Sequence, residues 1–443
     1  MGAEEKSYKI FNNLLFPKIF RTFRTAIQPT KLIIALMAVA VICLVGWIMD
    51  FSKTVAVTPG TQGEITELQI YMAHPDQVQS YIEVHKGNIE HKGVFSTLWD
   101  FSTVRFKGAI NSLFAFNLPA VATNIAECFK AARWALRYHY IYSIIFFIIK
   151  LAVICIAGGA ICRIAALQFA KGEKPGFTEA LHFSIKKFIS FFTAPIAPIG
   201  IIIFIGLFIF VLGLIGNIPR LGELIMGIFM LLAVLAGTLI AVVLIGTVAG
   251  FNLMFPAIAY DGSDCFDSVS RSFSYVYSKP WQMGFYTAIA AVYGAICYTF
   301  VRFFAFLLLW ASRWFLQLGV WVDSNSKEVN KLAAIWPEPT FVDLYNSSGL
   351  TAANWSESFA AFLVYLVSLL VIGLVVSFII SFYFSANTLI YSLMRKQVDN
   401  TALDDIYTPA DETKSDSTTI ESEPDEVPPE SDTSSQSSAL GQQ

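Results

Sequence analysis

The sequence predicts an all-α integral membrane protein of about six transmembrane helices, joined by amphipathic cytoplasmic elbow helices in a parallel internal repeat. Three observations carry this. The 443-residue chain is 55% hydrophobic but only 14% charged, with mean hydropathy +0.59, whereas soluble domains carry about 25% charged residues. Six apolar runs approach or exceed the roughly 20 residues that a helix needs to cross the hydrocarbon. Lys and Arg gather at every second boundary of those runs, which orients them.

The N-terminal arm, residues 1–31, is basic and amphipathic, with Lys18, Arg21, Arg24 and Lys31 ahead of the first run. That run, residues 32–49, is too long for a signal-peptide core and lacks a clean small-residue cleavage site, so it reads as a retained anchor with the N-terminus inside. Residues 50–138 form an external helical cap of mixed charge, with helical stretches at Ile65–Met72, Gln77–Val84 and Val121–Tyr138. The runs His139–Ile161, Ile196–Gly216, Leu224–Gly250, Phe285–Trp310 and Phe359–Leu389 make a five-span bundle over residues 139–398. Arg163, Lys171, Lys174, Lys186 and Lys187 mark the second internal segment, Arg271 and Lys279 the third, and Arg395 and Lys396 the last, so both termini are cytoplasmic. An external loop over 311–358 holds the sequons Asn346-Ser-Ser and Asn354-Trp-Ser. The tail, residues 399–443, carries twelve acidic residues against one lysine, a net charge of −11 that leaves +8 on the rest of the chain. Its Ser, Thr, Pro and acidic composition cannot bury a core and predicts disorder. A basic membrane body points to membrane lipids as partners, and nothing points to nucleic acid.

Two internal segments have helical periodicity. Residues 177–189 place Phe177, Ala180, Leu181, Ser184, Ile185 and Phe188 on one face, and residues 265–278 place Phe266, Val269, Phe273, Val276 and Tyr277 likewise. Both read as elbow helices lying at the membrane surface. Each is followed by proline, at Pro195 and Pro280, and the N-terminal Arg21-Thr-Phe-Arg-Thr-Ala-Ile-Gln-Pro29 echoes the second. The pattern is a repeat of span, elbow and span about an axis along the membrane normal, with a third unit split across the termini.

Four cations are the candidate substrate- or lipid-binding residues. Lys150 lies mid-run in the second span, where a charge costs about 2.5–3.5 kcal/mol and should face protein or water. Arg302 lies inside the fifth span, either for an anionic ligand or reaching the outer headgroups. Arg271 and Lys279 lie on the second elbow, facing lipid headgroups. No Asp or Glu falls inside any apolar run, which argues against a carboxylate proton relay. Asp261, Asp264 and Asp267 read as a turn with Asp264 capping the elbow rather than a cation loop. Glu83, His85, Glu90 and His91 lack the ligand spacing of a metal site. Gly246 and Gly250 share a helix face suited to close packing. No Walker loop, dinucleotide fingerprint, GxSxG or HExxH motif occurs, so no catalytic residue, cofactor or metal is assigned.

The segments Asp264-Cys-Phe-Asp-Ser-Val-Ser-Arg-Ser-Phe-Ser-Tyr-Val-Tyr-Ser-Lys-Pro280 and Thr388-Leu-Ile-Tyr-Ser-Leu-Met-Arg395, with Val398-Asp and Leu403-Asp-Asp beyond, resemble a group of bacterial multi-pass inner-membrane proteins of uncharacterised activity. More distantly, the span–elbow–span layout is similar to the membrane domain of some glycerophosphodiester phosphodiesterases. The resemblance covers spans two to six and implies an inner-membrane location; this chain has no phosphodiesterase domain. Two functional readings stand. The first is a non-catalytic scaffold or assembly component that binds lipid, or a protein partner through the acidic tail or the elbow helices. The second is a small transporter for an anionic or lipid-like substrate, with a cavity near Lys150.

Overall fold

The computed structural model describes residues 16–60, 63–84, 90–115, 117–320, 330–345 and 354–408. A short 3-10 helix, Phe16–Arg21, leads into α1 (Thr22–Ala26) and then α2 (Pro29–Met49). The cap holds β1 (Val55–Gly60), β2 (Gly63–Thr66), α3 (Glu67–Ala73), α4 (Val78–Val84), β3 (Glu90–Lys92), α5 (Val94–Phe114) and α6 (Leu118–Tyr138). The bundle continues with α7 (Tyr140–Ala170), α8 (Phe177–Lys186), α9 (Phe188–Thr193), α10 (Ala197–Gly216) and α11 (Leu221–Asp261). It closes with α12 (Cys265–Ser278), α13 (Pro280–Gly319), α14 (Lys331–Ile335) and α15 (Trp355–Val398). Residues to Ile406 belong to one unit; Tyr407–Gln443 form a second, of which the first two residues are described. The expected features of the arm before Phe16, the first sequon and the tail from residue 409 lie outside the described residues.

The protein is an all-α membrane protein: among the described residues, six helices are long and apolar enough to cross a bilayer. Several far exceed the apolar run within them. At 1.5 Å per residue the 41 residues of α11 span about 60 Å, roughly twice the hydrocarbon thickness. Glu223, Asp261 and Glu357, outside the apolar runs, are therefore parts of membrane-crossing helices.

The packing order is cyclic. The helices that lead into an elbow, α7, α11 and α15, pack against one another in a triangle. Each elbow folds back on the helix before it: α8 on α7, α12 on α11, and α1 on α15. Each outgoing helix then packs on the next incoming one: α10 on α11, α13 on α15, and α2 on α7. All three outgoing helices have proline at the first or second position, where the missing N–H is one that a helix start leaves unpaired anyway. The third unit is thus closed by α1 and α2 at one end of the chain and α15 at the other.

Small residues let the elbows dock. A Cβ on Gly159 of α7 would lie 2.4 Å from Ser184 Oγ of α8, and one on Gly250 of α11 would lie 3.3 Å from Ser272 of α12. On α15, Ser381 Oγ donates to the Ala26 carbonyl of α1 at 2.7 Å. The arm differs from a surface arm here: Ile19, Thr22, Thr25 and Ala26 are buried. The buried face of α12 also differs from the periodicity reading. Ser268, Val269, Ser272, Tyr275 and Val276 face the bundle, while Phe266 and Tyr277 are exposed. Ile185 of α8 is exposed too. Ser272 meets Gly250 and Phe273 meets Gly246 on α11, while the Tyr275 ring turns to Tyr391 of α15.

The cap is not purely helical. β1 is the centre of an antiparallel sheet ordered β2-β1-β3, with Val57 opposite Thr66 and Ala56 opposite His91. Its own core gathers Val55, Leu68, Tyr71, Val78, Ala131 and Trp134. Asp50 welds cap to bundle: its carboxylate accepts from Phe95 N at 2.8 Å, Ser96 N at 2.7 Å and Tyr142 Oη at 3.2 Å, capping the start of α5.

Candidate functional site

The four nominated cations lie in three places and form no common site. Lys150 is exposed on the outer flank of α7, beside the exposed Phe147 and Ile148, and does not line the apolar groove described below. Arg302 is buried near the cap end of α13. Its guanidinium donates to the carbonyls of Phe341 at 3.0 Å and Val342 at 2.7 Å and to Tyr298 Oη at 3.0 Å. It pins the segment before α15 rather than facing a headgroup. Lys279 donates to the Gln397 carbonyl at 2.8 Å. Arg271 pairs with Asp267 at 3.0 Å and Asp261 at 3.1 Å. Burial opposes its charge, but the two carboxylates outweigh that and hold its pKa above the usual value.

Arg271 thereby belongs to a polar knot where α11, α12 and α15 end. Asp261 accepts from the Tyr391 hydroxyl and contacts Arg395 Nε at 3.2 Å. Tyr275 donates to Asp399, and burial together with that carboxylate raises its pKa. Asp264 occupies the N-cap position of α12, but its side chain makes no capping bond. Instead the Lys187 ammonium reaches the Gly262 carbonyl at 2.8 Å. The knot consumes its own charges, which suits a fastening between units more than a ligand site.

The fully buried cation is Lys31, in the first turn of α2. Its ammonium donates to the Thr25 carbonyl at 2.9 Å and Gln168 Oε1 at 3.1 Å, tying α1, α2 and α7. In the sequence it is one more lysine ahead of an apolar run, and only the fold of α1 over it gives the burial away.

One site with room for a ligand is a groove of about 400 Å³ lined mostly by α13 and α15, with Asn252 facing it from α11. Packing explains it: α13 leans on α15 and stands off from α11. Ala290, Ala291, Gly294 and Ala295 leave the α13 wall low, and Phe378 and Phe382 form part of the floor. Ala291, Ala295 and Tyr383 stay exposed, so the groove opens on the flank of the bundle. From Phe378 to Ile390 along α15 it runs about 18 Å at 1.5 Å per residue. Its lining is almost wholly apolar, except where Asn252, Thr287, Tyr383 and Asn387 enter. Tyr383 donates to Asn252 Oδ1 at 2.5 Å, and Thr287 donates to the Met283 carbonyl at 2.9 Å. The Asn387 amide, on a residue only 6% exposed, makes no hydrogen bond among the described residues.

A second cavity of about 410 Å³ lies by the cap and includes Asp50, Lys53, Glu64, Glu90, His91 and Lys92. Two lysines among the carboxylates disfavour a cation there, and His85 lies outside the described residues. No group of three His, Cys, Asp or Glu side chains among the described residues is placed to hold a metal ion. The signal that could have found the groove is the coincidence of Asn252, Thr287 and Asn387 within three residues of the elbow-side ends of their apolar runs. No protein-family model, curated protein or solved structure matches this chain.

Proposed function

We propose that this chain is a non-catalytic membrane protein that binds lipid, taking an acyl chain laterally into the groove between α11 and α13. The observation that carries the reading is the groove itself: apolar, open on the lipid-facing flank, and about 18 Å long. One leaflet of a bilayer supplies about 15 Å of hydrocarbon, half of roughly 30 Å. A volume of about 400 Å³ is within the roughly 300–1,000 Å³ of ligand sites. The basic residues of the elbow end support a location in the inner membrane with that end and both termini in the cytoplasm. The resemblance to bacterial inner-membrane proteins enters as part of the same proposal. A partner bound through the acidic tail belongs with the scaffold side of this reading. The transporter reading placed its cavity near Lys150, which is exposed on α7 and does not line this groove.

Photolabelling tests this. The full chain is placed in bilayer discs with a phospholipid bearing a photoreactive acyl chain, and the labelled peptides are mapped. Label should concentrate on Ala290–Tyr298 and Phe378–Ile390 relative to α10, an apolar helix whose one buried residue is Pro198. The paired substitution Ala291→Trp and Ala295→Trp should remove the excess by filling the groove. Equal labelling of α10 and the groove would refute the reading.

A further inference from the structure

The groove has a polar end, and the residues there define which part of a lipid sits in it. The apolar run of α11 ends at Gly250, two residues before Asn252; that of α13 begins at Phe285, two before Thr287; that of α15 ends at Leu389, two after Asn387. Three helices thus bring polar side chains to the elbow-side part of the groove. Beyond them, toward Tyr298 and Phe106, the lining is apolar or aromatic. Polar and apolar portions follow the order of a lipid's linkage and its chain.

Asn387 is the residue that asks for a ligand. It is more than nine-tenths buried, lines the groove, and its amide finds no protein partner among the described residues. An amide left unpaired in a hydrocarbon environment costs several kcal/mol, so a natural occupant is one that brings a hydrogen-bonding group to Asn387. Asn252 accepts the Tyr383 hydroxyl on its oxygen and leaves its amino group to donate. The two side-chain amides, Asn252 on α11 and Asn387 on α15, can donate without carrying charge, which suits a neutral acceptor. In a lipid, the neutral acceptor at the top of a chain is the ester carbonyl.

We infer that the groove is selective for acyl-ester lipids of the elbow-side leaflet, with the ester carbonyl accepting from Asn387 and Asn252 and the chain running toward Tyr298. The inference rests on the lipid-binding reading above and adds the chemical class. It differs from a greasy slot that any alkyl chain could fill.

The test uses two photoreactive probes of the same headgroup and chain length, one ester-linked and one ether-linked, with the full chain in bilayer discs. The ester probe should label Phe378–Ile390 about three- to tenfold more strongly, the size of one hydrogen bond. Asn387→Leu should abolish that preference while the ether probe still labels the groove, which also reports that the variant is folded. Asn252→Leu, at a half-buried position, gives a second reading of the same loss. Equal labelling of wild-type protein by both probes would overturn the inference and leave the lipid-binding reading standing. Absence of groove labelling by either probe, or a co-purifying protein chain that excludes both, would overturn the two together.

Discussion

Replacing Asp261 by asparagine should destabilise the protein far more than replacing Arg271, although both belong to one ion cluster. The Asp261 side chain is 6% exposed and holds Arg271 at 3.1 Å and Arg395 at 3.2 Å. The two arginines differ in what they have left. Arg271 is 38% exposed and keeps Asp267 at 3.0 Å, a surface helix pair worth about 0.3–0.5 kcal/mol. Arg395 is 11% exposed and keeps only Asp405, itself 62% exposed, among the described carboxylates. At an effective dielectric of about 20, a charge pair at 3.2 Å interacts by roughly 5 kcal/mol before desolvation is counted. Removing one partner of a buried pair costs about 3–5 kcal/mol. Asp261→Asn should therefore raise the unfolded-to-folded ratio by about two to three and a half orders of magnitude, and Arg271→Gln by less than about tenfold.

Reversible unfolding in mixed micelles, followed by loss of helical circular dichroism, measures both changes. The double variant Asp261→Asn with Arg395→Gln should recover part of the loss, because no buried guanidinium is then left without its anion. Equal costs for Asp261→Asn and Arg271→Gln would refute the reasoning, as would a cost below about 1 kcal/mol for the former.

Further outcomes follow from close packing and exposure. Gly159→Ala should destabilise by about 1–3 kcal/mol, because its Cβ would meet Ser184 Oγ at 2.4 Å and the Phe191 ring at 2.7 Å. Gly206→Ala, with nothing within 4 Å, should be neutral or stabilising by up to about 1 kcal/mol; the same unfolding assay compares the two. Lys150→Met should leave groove photolabelling unchanged and improve insertion, measured as membrane-integrated yield; loss of labelling would return Lys150 to the site. Arg302→Met should release the segment around Phe341 and Val342 by removing its donated hydrogen bonds, read as faster proteolytic cleavage over residues 336–345.

The six helices were legible because length and apolarity decide membrane crossing without reference to neighbours. The elbows were legible as helices, but their inward faces were not. Ser272 and Phe273 meet α11 at Gly250 and Gly246, and that match lies between two segments rather than in either. Which lysine is buried was illegible for a related reason. The cap-side half of α7 is apolar on every face, so its pattern has no phase to say where Lys150 points, while Lys31 sits at a boundary where basic residues are ordinary. Asp261 was hidden because Asn252 and Pro256 read as the end of the span, although the helix continues to Asp261. The sheet of the cap did leave a trace: Val55-Ala-Val-Thr58 and Gly63-Glu-Ile-Thr66 are short β-favouring stretches around Pro59 and Gly60, and the helical stretches beside them outweighed it.

The groove follows from a difference between the units of the cyclic bundle. In the unit split across the termini, α2 packs on both α15 and α7, and Leu36 comes within 2.9 Å of where a Cβ on Gly373 would stand; the cleft is closed. In the unit of α11 to α13, the outgoing helix presents alanines and Gly294, and Phe382 lies 2.7 Å from where a Cβ on Gly294 would stand. Close approach is spent on α15, and nothing large reaches across to α11. On the lipid-binding proposal, alanine at 291 and 295 keeps the groove open for a hydrocarbon chain. The same alanines make the filling replaceable: indole rings at those positions would supply it from within the chain and should raise the unfolding free energy while excluding lipid. A variant carrying Ala291→Trp and Ala295→Trp that lost both stability and lipid would show that the groove is needed as a shape and not as a site.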